Sequence, residues 1–249
     1  MTELEAVGIL AAGVAAGTIN AVVGSGTLIT FPVLLAAGYS PVVANVSNTV
    51  GLVPGSVAGS IGYRRELAGQ GARAARLGVA STVGGVVGAV LLLELPESAF
   101  EAIVPAFIAL ALVLIVAQPW LSRRLGRQRP ASAHGGPGVL GAVFCSGVYG
   151  GYFGAAQGIM LLAILGLTLP DDLQRINALK NVLAGLVNLV AGVVFIIVAN
   201  VAWGAAVLVA AGAIAGGHLG ARYGRRLPPA VLRAIIVVVG VVAIVDLVT

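Results

Sequence analysis

Charge is scarce in this chain. Of 249 residues only 9% are Asp, Glu, Lys or Arg, against about 25% in an ordinary soluble domain. Aromatic residues make up 5%, there are two histidines, and Cys145 is the one cysteine. A lone thiol in an apolar run excludes an intrachain disulfide and a paired-cysteine redox mechanism, and reads as a small buried hydrophobe. His134 and His218 lie apart with no acidic or thiol partner near them in sequence, which leaves no metal site or proton relay to expect. No GxSxG, HExxH or phosphate-cradling loop occurs, and no acid, base or nucleophile constellation points to an enzyme or to a cofactor.

What fills the chain instead is apolar residues, 59% of the total, at a mean hydropathy of +1.07. That places it in a bilayer. The net charge of +5 arises from 13 Arg and one Lys against nine acids. A basic balance can signal nucleic acid, but here the arginines sit in short loops between apolar runs, so a nucleic-acid partner is not expected. No basic residue precedes Arg64, which argues against a cleavable leader and predicts that the first apolar segment is retained.

Crossing ~30 Å of hydrocarbon takes about 20 apolar residues as helix. Charge-poor runs predict ten helical segments, at 5–23, 27–38, 41–63, 74–94, 98–121, 138–154, 157–168, 173–199, 202–221 and 229–248. The second and seventh have 12 residues each, roughly 18 Å at 1.5 Å per residue, and so reach only about halfway. The fold class is an all-α integral membrane protein of 8–10 membrane helices, short half-helices included. Arg64, Arg65, Arg73 and Arg76, then Arg123, Arg124, Arg127 and Arg129, then Arg222, Arg225 and Arg226 fall in loops on one side, with Arg175 and Arg233. Basic loops stay cytoplasmic, which puts both termini outside. Residues 1–121 then form a first membrane repeat, 122–137 a basic cytoplasmic linker and 138–249 a second repeat. Five segments in each make the repeats inverted, a plan in which broken helices meet near the midplane.

The internal match is ordered. Gly17 and Gly24 correspond to Gly147 and Gly154 at an offset of 130, and Asn45 and Asn48 to Asn177 and Lys180 at 132. Gly24-Ser25-Gly26-Thr27 interrupts the first helix and opens the second, where Ser or Thr can cap and the first-turn amides attract anions. Gly154-Ala155-Ala156-Gln157-Gly158 is its counterpart, with the two-donor amide of Gln157. Asn45, Asn48 and Thr49 form a polar stripe with Ser47 beside it; Asn177, Lys180 and Asn181 form another. Amides and one cation without a carboxylate suit an anion better than a metal or an amine. Lys180 has two readings: an inward functional charge, or a side chain that snorkels to the interface beside Arg175, Asp171 and Asp172. Asn20 and Asn188 read as helix-to-helix hydrogen bonds. Asp246 reads as interfacial, Pro32 and Pro54 as kinks or stops, and Trp120 and Trp203 as interfacial anchors.

From GTINAVVGSGTLITFPVLL, SPVVANVSNTVGLVPGSVAGSIGYRREL, GVYGGYFGAAQGIMLLAILG and INALKNVLAGLVNLVAG, the chain resembles the TauE/SafE group of bacterial sulfite exporters, also called TSUP permeases. The resemblance implies a multi-pass inner-membrane protein of two related halves that moves sulfite, sulfoacetate or other organosulfonates, with ion coupling. It also implies that the family's glycine-rich breaks fall on Gly24–Thr27 and Gly154–Gly158, and its helical motifs on Asn45–Thr49 and Asn177–Asn181. The chain departs from the common Ala-Thr-Ser motif in having Asn45 and Asn48, and has two glycines in its first break.

Together these predict a secondary transporter of a small sulfur-containing anion, working by alternating access. The expected substrate contacts are Ser25, Gly26, Thr27, Asn45, Asn48, Thr49, Gln157, Asn177, Lys180 and Asn181. Its partners are the lipid bilayer and the small anion, with a second copy of the chain as a candidate. Two other readings stay open: a passive anion channel, which would show single-channel conductance rather than counterflow, and a membrane scaffold, which would bind no substrate.

Overall fold

The computed structural model describes residues 1–125, 136–223 and, near the C-terminus, 234, 236–239, 241, 242, 244 and 245; for 118, 119 and 121–125 it gives the backbone alone. Among the described residues the regular structure is helical: α1 Glu3–Val22, α2 Thr27–Ala36, α3 Pro41–Gly62, α4 Gly71–Glu94, α5 Glu97–Leu125, α6 Pro137–Tyr152, α7 Gln157–Thr168, α8 Leu173–Val198 and α9 Trp203–Tyr223. Nine of the ten expected segments match these helices to within a few residues. The tenth, at 229–248, is described only at scattered helical positions, and Arg127, Arg129, His134, Arg225, Arg226, Arg233 and Asp246 lie outside the described residues.

Among the described residues five helices are long and apolar enough to cross a membrane: α1, α4, α5, α8 and α9. Their lipid-facing surface is apolar, as on α4, where Val79, Val83, Val86, Val87 and Val90 are all exposed. A soluble fold would bury such a stripe. With 22 residues α3 has the length to cross, but Asn45, Ser47, Asn48, Thr49 and Ser56 lower its hydropathy, and the first four are buried. Water is absent from a bilayer core, so these groups need partners inside the protein.

Local chemistry sets the helix ends. Thr2 and Glu5 form a capping box at the start of α1, Pro41 pre-sets the first turn of α3, and the Asp172 carboxylate accepts from the Gln174 and Arg175 amides at the start of α8. Pro32 and Pro54 lie inside α2 and α3 and terminate neither. Trp203 opens α9 and is half exposed, as an interfacial residue should be. Cys145, expected to be buried, is exposed, because it sits on the face of α6 turned away from α4 and its glycines.

Packing runs between the halves. α1 lies along α9, and α6 lies along α4. Both contacts are backbone to backbone: a Cβ on Gly216 would come within 2.0 Å of the Val14 carbonyl oxygen, and one on Gly88 within 2.0 Å of that of Val148. Small residues replace the missing hydrophobic driving force between helices in lipid by letting main chains approach closely. α3 and α8 then meet each other at the centre, α3 also packing on α9 and α8 on α4.

Candidate functional site

Two helix breaks define the centre of the molecule; they share the same backbone pattern as far as Gly24 and Gly154, and differ at the next N-cap, where Gly26 is right-handed (φ −61°) and Ala156 left-handed (φ +58°). After α1, the Val23 and Gly24 amides both donate to the Ile19 carbonyl; after α6, those of Phe153 and Gly154 both donate to Tyr149. Each pair lies 130 residues from the other. Gly24 and Gly154 take φ of +88° and +78°, the left-handed conformation in which only glycine is unstrained. Three residues later α2 and α7 begin. The breaks touch: the Gly158 amide donates to the Gly24 carbonyl at 3.0 Å, and a Cβ on Gly24 would lie 2.5 Å from the Gly158 Cα.

Breaking a helix in lipid strands its last carbonyls. Here the opposite half caps them. Asn45 of α3 donates through Nδ2 to the Tyr152 carbonyl at the end of α6, 2.9 Å away. Asn177 and Asn181 of α8 donate to the Ala21 carbonyl at the end of α1, at 3.1 and 3.2 Å. Lys180 sends its Nζ to the Asn20 carbonyl at 2.9 Å, so that its cation also faces the negative end of the α1 dipole. Lys180 is fully buried and lies well inside from Arg175, Asp171 and Asp172, so it does not snorkel.

Because Asn177 and Asn181 share one acceptor, Asn177→Ala and Asn181→Ala should each cost about 0.6 kcal/mol, an average interhelical hydrogen bond in lipid. The double variant should cost more than the sum, about 2 kcal/mol, since the carbonyl then loses both donors. Thermal unfolding of the three variants in detergent checks this, and simple additivity would refute shared capping.

A small cavity opens beside the contact between the breaks. Side chains of Asn20, Thr27, Ser56, Gln157, Lys180, Asn181 and Asn188 line it, with Gly24, Gly55, Gly59, Gly154 and Gly158. It leaves about 30 Å³ for the centres of water-sized molecules, room for about two waters at 10–15 Å³ each. The lining holds one cation and no carboxylate.

Four of the ten expected site residues line this cavity: Thr27, Gln157, Lys180 and Asn181. The other six do not. Asn45 and Asn177 are helix caps, as above. Asn48 is held on α2, accepting from the Thr30 hydroxyl and donating to Thr27 Oγ1 at 3.3 Å. Thr49 Oγ1 donates back along its own helix to the Asn45 carbonyl at 2.9 Å. The Gly26 amide, expected to meet substrate, donates to Asn20 Oδ1 at 2.8 Å, and Gly26 rather than a Ser or Thr is the N-cap of α2. Ser25 is buried, and its hydroxyl has no hydrogen-bond partner among the described residues.

Asn20, Ser56 and Asn188 enter instead. Asn188 does bridge helices, donating to Ser56 Oγ at 3.2 Å, and so is glue as well as lining. The signal for Asn20 was available: it stands one turn before the first break, where its counterpart 130 residues on is Gly150, whose missing side chain makes room for Gln157. Gln157 is buried and donates through Nε2 to the Ser146 carbonyl at 3.2 Å.

A second polar cluster sits at one face of the molecule. Asp171, in the α7–α8 connection, pairs with Arg73 of α4 and with Arg175 Nε at 3.0 Å. Burial pushes the Asp171 carboxyl up, but the hydrogen bonds and charges of the two arginines outweigh it and hold the group below its ordinary value of 3.8, so it is ionised at neutral pH.

Apolar crossing helices, two breaks in contact and a buried cation beside a polar cavity define a polytopic membrane protein with a polar centre. The sequence profile of the sulfite exporter TauE/SafE family matches residues 9–247, and the chain belongs to that family. It is 28% identical over 229 residues to the probable membrane transporter protein YfcA of Escherichia coli K12, covering 91% of this chain and 83% of that one. A probable membrane transporter protein of Haemophilus influenzae is 28% identical over 211 residues, covering 84% and 81%. No solved structure matches. The chain is thus a membrane transporter of the TauE/SafE type.

Proposed function

We propose that this transporter carries a small sulfur-containing oxyanion, sulfite or an organosulfonate, as a secondary carrier of the bacterial inner membrane. The observation that supports this reading best is Lys180, fully buried against a carboxylate-free cavity where the two helix breaks meet. A buried, hydrogen-bonded ammonium among amide and hydroxyl donors favours an anion of high charge density, and its placement in a membrane interior is costly without a use. Lys180 supplies charge, and Asn20, Gln157, Asn181, Thr27, Ser56 and Asn188 supply hydrogen bonds. These are side-chain donors: the Gly26 and Gly158 amides are already engaged with Asn20 and Gly24.

The two halves act as inverted repeats that rock about the contact between Gly24 and Gly158, opening the cavity first to one side and then to the other. Matching hydrogen bonds at both breaks, and the exchange of partners in which α1 packs on α9 while α6 packs on α4, support this arrangement. A cavity of about 30 Å³ must widen to admit a sulfonate, which is what such a motion supplies.

The test is thermal-shift screening of the purified protein against sulfite, sulfate, thiosulfate, taurine, isethionate and sulfoacetate, followed by counterflow of labelled substrate in proteoliposomes. Stabilisation by at least one sulfur oxyanion, with saturable counterflow of the same compound, is expected. Conductance without saturation would replace the carrier by a channel, and no response to any of the six would remove the substrate class.

A further inference from the structure

Between the cavity and the face bearing the basic loops, the chain stacks two layers that join one half to the other. The first is apolar. Tyr63, the C-cap of α3 and 1% exposed, packs with Ala21 of α1, Ala178 of α8, Ala221 of α9 and Leu67. Tyr63 follows one turn after Gly59, and Ala178 lies two residues before Lys180; Gly59 and Lys180 both line the cavity. The second layer is ionic. Asp171 of the α7–α8 connection binds Arg73 and Arg175, while Gln70 of the α3–α4 connection donates to the Arg175 carbonyl at 3.1 Å and Arg175 donates to the Ala68 carbonyl at 3.1 Å. Asp172 caps α8 eight residues before Lys180, so this layer is about 12 Å from the cation along the helix at 1.5 Å per residue.

Among the described residues the opposite face shows no such ionic layer. α3 and α8 start 132 residues apart, at Pro41 and Leu173, as do α4 and α9 at Gly71 and Trp203. At that offset Asp171, Arg175, Gln70 and Arg73 correspond to Tyr39, Val43, Ala202 and Ala205. An ionic clamp therefore exists at one end of the molecule, while the matching positions at the other end are uncharged.

We propose that the Tyr63 layer and the Asp171 clamp form the gate that closes the basic face, and that the clamp must break before the cavity opens there. This rests on the alternating-access reading above. Three bonds of the clamp, Asp171 to Arg73, Gln70 to the Arg175 carbonyl and Arg175 to the Ala68 carbonyl, join the first half to the second, so a motion that separates the halves on this face has to sever them. The apolar layer beneath keeps water from the cavity while they hold.

The experiment reads access without any substrate. In a Cys145→Ser background, which removes the exposed native thiol, Ala184→Cys places a reporter in the cavity wall. A membrane-impermeant methanethiosulfonate reagent is applied to intact cells and to inverted vesicles. Asp171→Asn is expected to raise the labelling rate from the basic face at least tenfold and to lower it from the other, with Asp171→Glu close to the parent. Should Asp171→Asn fail to accumulate, Gln70→Ala is judged by the same criterion. Rates within twofold of the parent from both faces overturn the gate, and so do rates that rise from both faces, which mark loosened packing. Loss of counterflow with the access response intact sinks the anion carrier and leaves the gate standing.

Discussion

Gly24→Ala is expected to leave no stably folded protein. Two independent costs coincide at this residue. Its φ of +88° is left-handed, which costs a residue with a Cβ roughly 1–2 kcal/mol. The added methyl would also stand 2.5 Å from the Gly158 Cα, a main-chain atom that cannot turn aside, and overpacking of this kind typically costs about 1–3 kcal/mol. Since Gly24 also accepts the Gly158 amide, any shift that relieves the clash pulls the two breaks apart. Two companion substitutions separate the terms. Gly38 has a φ of +84° and open space around its Cβ, so Gly38→Ala should show the backbone cost alone. Gly158→Ala should show the steric cost alone, its Cβ meeting the Gly24 Cα at 2.4 Å. Size-exclusion profiles and unfolding temperatures in detergent rank the three; a Gly24→Ala protein as stable as Gly38→Ala would mean that the breaks are not in contact.

Lys180→Met should weaken oxyanion binding about a hundredfold and abolish transport while leaving a folded protein. A hydrogen bond from a charged donor contributes about 1.5–3 kcal/mol, and each 1.4 kcal/mol is a factor of ten. The methionine side chain refills the volume of the lysine stem, so the fold loses the bond to the Asn20 carbonyl but no packing. Lys180→Arg should not rescue binding: a planar guanidinium is wider than an ammonium, and the cavity has space for about 30 Å³ of water-sized centres. Thermal-shift titration with the oxyanion found for the parent protein measures both. An unchanged affinity in Lys180→Met would reduce this residue to a cap on the end of α1.

The helix breaks were legible in the sequence because glycine beside a polar residue is conspicuous inside an apolar run, and because the two breaks sit at a constant offset. The helices followed from hydropathy, since a membrane span has to be continuous. The amide stripes were legible as inward faces, but their partners were not. Period alone places Asn45, Asn177 and Asn181 on a face, and nothing in it reveals that a stranded carbonyl, 156 residues away for Asn177, will occupy that face. Asn20 did carry a signal, since it stands one turn before the first break where its counterpart in the other half is Gly150. Arg73 served only to orient the chain and Asp171 only as an interfacial neighbour for Lys180, because only the fold brings the two together.

The mutual capping of the breaks bears on how the protein is made. When α1 leaves the ribosome, the amides that complete its end at Ala21 are still more than 150 residues from being synthesised. The end of α1 therefore cannot reach its final hydrogen bonding until residues 177–181 have been made. The first helix is thus completed only by residues of the second half.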